Sequence, residues 1–310
     1  MARIQHCDTS RRYIHVKILI TGANGMLGTD LRDCLAHHDV TSADRHTLDV
    51  TDAVAVRQAV AGHDVVINAA AFTNVDAAEE NEDVAYQVNA EGARFLAEAC
   101  KSSGARLVQI STDYVFDGAS TTPYSEEDEL HPLSSYGRSK AAGERFVRDL
   151  YPEGSIVVRT AWLYGKAGPN FAATMLTLAG KRETVDVVTD QRGQPTWTRD
   201  VANHIRQLLE QNAAPGIYHG TNAGDTTWFE FARAVYDECG LDPDRILPTD
   251  SANFVRVAPR PRNSVLGHGA WNTISLDPMR PWRDALHDAV LTGVFDRQRR
   301  RLQSDATDVS

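Results

Sequence analysis

The sequence has few cysteines and no long apolar run. Its 310 residues contain four cysteines, far apart, with no Cys-x-x-Cys pair and no His/Cys cluster at zinc-ligand spacing: Cys7, Cys34, Cys100 and Cys239. This pattern argues against a disulfide framework and favours a reducing compartment. No segment approaches the roughly 18 apolar residues of a membrane span, and residues 1–15 lack the apolar core of a signal peptide. We therefore expect a soluble, cytoplasmic protein.

Positive charge is also scarce. The 32 Lys and Arg residues face 42 Asp and Glu residues, which gives a formal net charge of −10. Such a surface repels a phosphate backbone, so nucleic acid is not an expected partner. The net charge still allows a local basic pocket that binds a small anion. Hydrophobic residues make up 42% of the chain and its 21 glycines are scattered, which is typical of an ordinary globular protein.

Short β-branched runs alternate with helical patterns through the first half of the chain. The expected strands are 16–20, 39–43, 65–67, 107–110 and 155–158, and the expected helices between them are 26–37, 52–60, 83–103 and 134–150. This alternation predicts right-handed βαβ crossovers. The predicted fold class is α/β, with a Rossmann-like, doubly wound parallel sheet and a smaller C-terminal α/β substrate lobe.

The regular alternation of strands and helices ends after residue 165, where proline and glycine residues become more frequent. Helices are expected at 170–180, 198–211, 227–239 and 279–293, with an irregular stretch from 248 to 269. We predict a polar arm at 1–15, a dinucleotide-binding domain at 16–165 with contributions from 198–225, a mainly substrate-binding lobe at 166–296, and a flexible tail at 297–310.

A glycine-rich loop joins the first strand to the first helix. Gly22, Gly25 and Gly28 give the spacing G-x-x-G-x-x-G, and their missing Cβ atoms allow a tight turn and the approach of a pyrophosphate to the helix N-terminus. Asp44 ends the second strand, where a carboxylate can accept hydrogen bonds from an adenosine ribose, whereas the adjacent Arg45 can pair with a 2′-phosphate. The choice between NADH and NADPH therefore stays open.

The same reasoning places further residues beside a dinucleotide, because small side chains after a strand let a flat ring pass close to the sheet edge. The expected cofactor positions along this edge are Gly22, Asn24, Gly25, Met26, Leu27, Gly28, Asp44, Arg45, Asp49, Val50, Ala69, Ala70 and Ala71.

Tyr136 and Lys140 lie four residues apart in a predicted helix, so both project from one face. An unperturbed phenol has a pKa of about 10, and a neighbouring ammonium group stabilises phenolate and lowers that value. Such a tyrosine can protonate a ketone oxygen. Ser111 and Thr112 follow the strand 107–110 and offer hydroxyl groups to the same carbonyl.

At this point the sequence resembles the extended short-chain dehydrogenase/reductase family and, within it, the dTDP-4-dehydrorhamnose reductases. The matching segments cover roughly residues 16–266: TGANGMLG at 21–28, VINAAAFTNVDAAEE at 66–80, STDYVFDG at 111–118, YGRSK at 136–140, RTAWLYG at 159–165, NFAATML at 170–176, DQRGQPT at 190–196, GIYHGTNAGDTTWFEFA at 216–232 and RPRNSVL at 260–266.

The resemblance implies reduction of the C4 ketone of dTDP-4-dehydro-β-L-rhamnose to dTDP-β-L-rhamnose, with hydride from NADPH or NADH. By position, Tyr136 would be the acid, Lys140 would hold the nicotinamide ribose, and Thr112 would bond the carbonyl oxygen. Tyr136 and Lys140 would thus also be cofactor-binding residues. The implied substrate contacts are Thr73, Asn74, Ser111, Thr112, Asp113, Tyr136, Trp162, Arg260, Asn263 and Ser264. Some relatives form homodimers with bound magnesium; the sequence gives no ligand set that would establish the metal.

Several alternatives stay open. The same catalytic trio would serve a reductase of another nucleotide-linked 4-keto deoxysugar, and purified sugars would separate the two activities. A non-catalytic regulatory subunit, like that of methionine adenosyltransferase, is a second alternative, against which the intact trio argues. Asp76 is either part of a loop beside the active site or a helix N-cap. Asn89 either orients a structural water or a backbone group, or is an ordinary solvated polar residue.

Overall fold

The computed structural model describes residues 15–274 and 276–307. The predicted arm therefore lies outside the described residues apart from His15, as do the last three residues of the predicted tail. The strands are β1 (Lys17–Thr21), β2 (Asp39–Ala43), β3 (Val65–Asn68), β4 (Arg106–Thr112), β5 (Ser155–Thr160), β6 (Leu163–Tyr164), β7 (Val185–Val188), β8 (Arg192–Gly193), β9 (Thr196–Trp197), β10 (Gly216–His219), β11 (Thr226–Thr227) and β12 (Ile246–Thr249).

The helices alternate with these strands through the first half of the chain and dominate the second. They are α1 (Met26–Cys34), α2 (Ala53–Val60), α3 (Val75–Glu80), α4 (Glu82–Tyr86), α5 (Gly92–Ser103), α6 (Ser135–Leu150), α7 (Phe171–Ala179), α8 (Thr198–Glu210), α9 (Trp228–Glu238), α10 (Gly269–Thr273), α11 (Trp282–Leu291) and α12 (Asp296–Thr307).

A parallel sheet of six strands forms the centre of the fold, in the order β10-β5-β4-β3-β1-β2. The predicted α/β class and parallel sheet are confirmed. Helices cover both faces: α1 and α8 pack on one, and α2 and α5 on the other. Because every strand is parallel, their carboxyl ends meet at one edge, where ligands bind in open sheets of this kind.

The second half of the chain adds a smaller apolar cluster. Helices α7, α9 and α11 surround Tyr164, Phe231 and Phe295, all three fully buried. The same half of the chain contains three two-stranded sheets, which pair β6 with β9, β7 with β12 and β8 with β11. Strand β10 and helix α8, although late in the sequence, belong to the central sheet and its covering layer.

Two segments differ from the sequence-based expectation. The predicted helix 83–103 is interrupted by a π-helical turn, Gln87–Glu91, which separates α4 from α5. The predicted flexible tail begins with α12, because Leu302 packs against the cluster around Ala232 and Ile246. Among the described residues, none of the helices combines the length and apolar character that a membrane crossing requires.

Candidate active site

Side-chain hydrogen bonds join the carboxyl ends of β1 and β3 to the middle of β4. The Thr21 hydroxyl donates to Asn68 Oδ1 at 2.6 Å, and Asn68 Nδ2 donates to Gln109 Oε1 at 2.8 Å. All three residues are buried, so each polar group needs a partner inside the protein. This row fixes the relative positions of the strand ends from which the candidate site is built. Sequence analysis did not single out any of its members.

The glycine-rich loop fits against β3 with no room for side chains. Gly22 has a φ of +65°, and a Cβ there would lie 2.6 Å from the Ala69 main-chain oxygen. A Cβ on Gly28 would lie 2.3 Å from the Gly22 oxygen. Glycine is therefore required at both positions, at Gly22 for its left-handed backbone as well as for space.

Helix α1 begins directly after this loop. Gly25 is its N-cap residue, and no side chain caps the amide groups of the first turn. Unsatisfied amide groups and the helix dipole favour an anion at this position. Leu27 is buried in the core, so only its main chain can face a ligand, whereas Met26 is half-buried beside Gly165 and Gly168. The loop thus fits the pyrophosphate of a dinucleotide.

Asp44 follows β2 and is held by its neighbours. Its carboxylate accepts hydrogen bonds from Asn24 Nδ2 at 2.6 Å and from the His46 amide at 2.9 Å. Hydrogen bonds from the His46 amide first, and then from the Thr47 amide and hydroxyl, hold the pKa of Asp44 below its ordinary value. Arg32 donates to Asn24 at 3.2 Å, and Arg45 is exposed. A carboxylate and two guanidinium groups therefore lie near the position expected for the adenosine ribose.

The remaining predicted cofactor residues divide into two groups. Asp49 forms a local turn by accepting from the Thr51 amide and hydroxyl, and Val50 is buried against α5. Ala69 and Ala70 pack under the glycine loop, with Ala71 half-buried after them. Val50 therefore contributes to the core, whereas the alanines border the carboxyl edge of the sheet.

Thr112 and Tyr136 meet beside the end of β4. Thr112 is the last residue of that strand, and Tyr136 lies in the first turn of α6. Burial raises the pKa of the Tyr136 phenol to about 12, while a side-chain hydrogen bond with Thr112 acts in the opposite direction. The expectation that Lys140 lowers this pKa is wrong for this structure, because burial dominates. A protonated phenol is nonetheless the form that can act as an acid.

Lys140 is buried one turn further along α6. Its ammonium Nζ donates to the Ile110 main-chain oxygen at 2.7 Å. Burial lowers the pKa of Lys140 to about 8, and Glu144, one turn further, opposes that shift. The Glu144 carboxylate receives three hydrogen bonds from the Arg159 guanidinium, at 2.8–3.1 Å, with both side chains 1% exposed. The lysine therefore belongs to a buried group in which one carboxylate, Glu144, lies between two cationic side chains, Lys140 and Arg159.

Asn89 connects the loop after β3 to α6. It accepts from the Phe72 amide at 2.8 Å and donates to the Phe72 oxygen at 3.1 Å and to the Ser139 hydroxyl at 2.9 Å. The residue is buried within the π-helical turn. Of the two interpretations of Asn89 given above, orientation of a backbone group is confirmed.

Asp76 and Arg260 pair next to the candidate site. Arg260 lies 3.0 Å from Asp76, and its guanidinium carbon is 5.9 Å from the centre of the Tyr114 ring. The Tyr114 ring in turn lies edge-on to Tyr136, at 5.7 Å between centroids. The N-cap interpretation of Asp76 is wrong, because Asn74 caps α3 by accepting from the Ala77 amide at 3.0 Å.

The residues that follow Arg260 contact the loop that follows β4. Asn263 donates to the Ser120 oxygen at 2.8 Å, so its amide is engaged within the protein. Ser264 is buried beside Asp113, and its side chain opposes the rise in pKa, to about 6, that burial imposes on that carboxyl group. Ser111 is also buried at the end of β4, whereas Thr73 is exposed on the loop after β3.

Trp162 lies after β5, next along the sheet edge from β4. Its backbone φ is +46°, an uncommon value for a bulky residue. Its ring stacks on Trp228 with 3.5 Å between centroids, and a Cβ on Gly193 would meet it at 2.4 Å. The stacked pair marks the side where the second lobe meets the sheet edge.

A potential metal-ligating group lies away from these residues. Among the described residues, His37, His38 and Glu210 are the side chains whose ligand atoms approach one another closely enough to share an ion. They lie beyond the C-terminal end of α1, whereas the glycine loop is at its N-terminal end. Arg206 already forms an ion pair with Glu210 at 2.9 Å.

Comparisons with known proteins agree with this geometry. A family model described as the RmlD substrate binding domain matches residues 16–294. A dTDP-4-dehydrorhamnose reductase from Streptomyces griseus is 47% identical, over 89% of this chain and 94% of that protein. The chain belongs to the dTDP-4-dehydrorhamnose reductase family.

One further relative and one solved structure are also similar to this chain. A protein from Streptomyces niveus named dTDP-4-keto-6-deoxy-D-glucose reductase is 47% identical, over 87% of this chain and 95% of that protein. A crystal structure of a dTDP-4-dehydrorhamnose reductase from Bacillus anthracis in complex with NADP has a TM-score of 0.86 and 38% identity, covering 90% of this chain and 99% of that one.

Sequence analysis missed some members of this site. Glu144 follows Lys140 at the same spacing by which Lys140 follows Tyr136, and that repeated interval could have identified it. Glu144 pairs with Arg159, and Asp76 pairs with Arg260. Because Asp76 and Arg260 lie far apart in the chain, no local sequence pattern reveals their contact.

Proposed function

We propose that this protein reduces the C4 ketone of dTDP-4-dehydro-β-L-rhamnose to dTDP-β-L-rhamnose, with NADPH or NADH as the reductant. The observation that carries the proposal is the meeting of Thr112, Tyr136 and Lys140 at the carboxyl end of β4, beside a glycine loop that fits a pyrophosphate. Membership of the reductase family supports the same chemistry.

The reduced nicotinamide supplies hydride to the ketone carbon when it is bound. Tyr136 gives its phenolic proton to the ketone oxygen, and its raised pKa keeps that proton available at neutral pH. Thr112 donates a hydrogen bond to the same oxygen and stabilises the charge that develops there. Lys140 holds the nicotinamide ribose from its buried position on α6.

The cofactor would lie across the carboxyl edge of the sheet. The first turn of α1 would hold the pyrophosphate, and Asp44, Arg45 and Asn24 would border the adenosine ribose. The alanines after β3 leave room for the rings. We assign residues 16–165, with 198–225, to cofactor binding and residues 166–296 mainly to the substrate.

The sugar nucleotide would bind between this edge and the second lobe. Arg260 suits diphosphate oxygens because its planar guanidinium can make two parallel hydrogen bonds. Trp162 would contact the sugar through the part of its ring that Trp228 and Gly193 do not cover. The surrounding contacts would come from Thr73, Asn74, Ser111, Asp113, Asn263 and Ser264.

A second sugar is supported by one specific observation. The Streptomyces niveus protein named for dTDP-4-keto-6-deoxy-D-glucose is as similar to this chain, at 47% identity, as the Streptomyces griseus protein named for dTDP-4-dehydrorhamnose. The second candidate is therefore reduction of another dTDP-linked 4-keto-6-deoxyhexose by the same three residues.

The test is sugar-dependent oxidation of NADPH and NADH, followed by their absorbance, with each 4-keto sugar generated in the reaction vessel by its preceding enzyme. The proposal expects dTDP-4-dehydrorhamnose to give the higher kcat/KM. A tenfold or greater preference for the other sugar would favour the second candidate, since hydroxyl-binding pockets reject mismatched hydroxyl patterns strongly. Cofactor binding without oxidation by either sugar would contradict both candidates.

We also propose a cytoplasmic location and a homodimeric assembly. The location is in keeping with a biosynthetic enzyme that acts on a nucleotide sugar, and the assembly follows from the resemblance to relatives that form homodimers. Sedimentation of the purified protein tests the assembly directly, since a monomer of 34.1 kDa is readily separated from a dimer.

A further inference from the structure

The turn between α1 and β2 brings two consecutive histidines together. His37 and His38 lie in that turn, with their ring centroids 4.0 Å apart and their planes tilted by 42°. In a regular strand, the side chains of consecutive residues would point to opposite faces. The turn instead presents both imidazole rings to one place.

The packing of α1 against α8 adds a carboxylate to this place. Cys34 Sγ lies 3.4 Å from Asn203 Oδ1, and His37 Nε2 lies 3.6 Å from Glu210 Oε1, so the contacts advance along both helices in the same direction. Glu210 is the last residue of α8. One ligand atom from each of His37, His38 and Glu210 lies within 4.8 Å of the other two. Two segments far apart in the chain thus supply three potential metal ligands.

His38 is the buried member of this group, with 8% of its surface exposed. Its Nδ1 is buried and has no hydrogen-bond partner in the described part of the chain. A buried polar atom without a partner is costly, and a bound ion is one reason for its presence in a native protein. Burial, and then the nearby His37, lower the pKa of His38, so its ring is neutral at pH 7 and can coordinate a metal. The other charged groups near His38 are Glu210, His15 and Arg206.

The electrostatics of the two helix ends also favour a cation. The C-terminal ends of α1 and α8 both lie here, and the carbonyl groups at such ends carry partial negative charge. Arg206 Nη1 donates to both oxygens of Glu210, at 2.9 and 3.0 Å, and thereby orients the carboxylate. An ionised carboxylate offers about four acceptor positions. Glu210 can therefore bind Arg206 and a metal ion together.

We propose that His37, His38 and Glu210 form a binding site for a divalent transition-metal ion, Zn²⁺ in the first place, that joins the turn after α1 to the end of α8. Two imidazole nitrogens and one carboxylate oxygen suit zinc, whereas magnesium prefers oxygen ligands alone. Tetrahedral zinc ligands lie about 3.3 Å from one another, given their bond lengths. The 3.6 Å between His37 and Glu210 approaches that spacing, and both side chains are exposed enough to close on the buried His38.

The ion has a structural role and takes no part in the reduction. Helix α1 has nine residues, so its end at the glycine loop lies about 14 Å or more from the histidine turn. Three protein ligands leave a fourth position for water. Because the ion links α1 to α8, it stabilises the folded chain relative to the unfolded chain, in which Glu210 is remote from the histidines.

The test is equilibrium dialysis of the chelator-treated, full-length protein against Zn²⁺, with the bound metal and the midpoint of thermal unfolding measured for each variant. We expect His37→Ala and Glu210→Gln each to weaken the binding of one zinc ion at least about tenfold, since the loss of a group that only supports a ligand already costs that much. Both side chains are partly exposed, so these variants should fold. At a zinc concentration about 100 times the wild-type Kd, the wild-type midpoint should rise by about 4 °C and that of either variant by about half as much or less.

His131→Ala is the matched control. His131 lies 3.4 Å from Glu129 at an exposed position, and among the described residues no third ligand approaches this pair. The control should bind zinc with the affinity of the wild type. A large excess of Mg²⁺ should leave the zinc in place, because two of the three ligands are nitrogen atoms.

Equal zinc affinity in the wild type and in both site variants would overturn the inference, as would displacement of zinc by magnesium. Weaker binding in only one of the two site variants would contradict an ion shared by all three ligands. Zinc binding that leaves the unfolding midpoint of the wild type unchanged would contradict a link between α1 and α8. None of these measurements uses the sugar or NADPH, so their outcome is independent of the proposed function.

Discussion

The ammonium Nζ of Lys140 donates a hydrogen bond to the main-chain oxygen of Ile110, 2.7 Å away. Ile110 lies in β4 two residues before Thr112, and Lys140 lies one helical turn after Tyr136. This bond therefore holds the helix that carries the phenol against the strand that carries the hydroxyl. Lys140 has a structural part in the site in addition to the proposed contact with the cofactor.

The charge of Lys140 should limit activity in alkaline solution. Its pKa is lowered to about 8 by burial, so the ammonium form is present below that pH and is lost as the pH rises through it. We expect kcat to fall above about pH 8 and Lys140→Met to lose about 100-fold in kcat at neutral pH. Steady-state rates from pH 6 to 10 measure both effects. Full activity of the methionine variant would contradict this role.

Asn89 should stabilise the loop that precedes α3. Its replacement by alanine leaves the Phe72 amide and the Ser139 hydroxyl without their buried partner, and we expect a loss of about 3 kcal/mol in the free energy of unfolding. Asn81→Ala is the matched control, because Asn81 is exposed and should cost less than about 0.5 kcal/mol. Urea unfolding of both variants tests the contrast, and equal losses would refute it.

Arg260 should act on substrate binding more than on chemistry. We expect Arg260→Ala to raise KM for the sugar nucleotide about 30-fold, with kcat within about threefold of wild type, since a diphosphate contact is made equally in the ground and transition states. Arg256→Ala is the control. Arg256 lies 3.9 Å from the same Asp76 carboxylate but is half exposed. A similar KM effect for both arginines would show that a general positive potential is responsible.

The fold and the three residues of the proposed catalytic group were accessible from the sequence because both depend on local patterns. Gly22 and Gly28 lie in a strand-loop-helix unit, and Tyr136 and Lys140 share one helix face. By contrast, the Asp76–Arg260 pair joins residues far apart in the chain. The residues of the π-helical turn at Asn89 have no sequence pattern that distinguishes them from an α-helix. The stacking of Trp162 on Trp228 likewise depends on how the second lobe meets the sheet.

His219 should make stability depend on pH. Its Nδ1–H donates to the Gly267 oxygen and its Nε2 accepts from Arg159, so burial and the adjacent cation lower its pKa to about 3. Above pH 6.5 the ring is neutral in the folded and unfolded chains. Below pH 6.5 the unfolded chain gains a proton that the folded chain does not, so stability falls by about 1.4 kcal/mol per pH unit until about pH 3.

The variant His219→Gln removes this proton from the unfolded chain. Between pH 6 and 5 we therefore expect the slope of unfolding free energy against pH to decrease by nearly one proton equivalent. The variant itself will be less stable at pH 8, which does not affect the slope. An unchanged slope, measured by urea unfolding at each pH, would show that His219 becomes protonated within the folded protein.

The role of Tyr136 as the proton donor is tested most directly by Tyr136→Phe. The measurement is single-turnover and steady-state oxidation of NADPH with dTDP-4-dehydrorhamnose, together with the Kd of NADPH. We expect kcat to fall at least about 100-fold while Kd stays within about threefold, because phenylalanine keeps the ring and removes only the acidic group. A phenylalanine variant that retains a third or more of the wild-type kcat would contradict the assignment of Tyr136 as the acid.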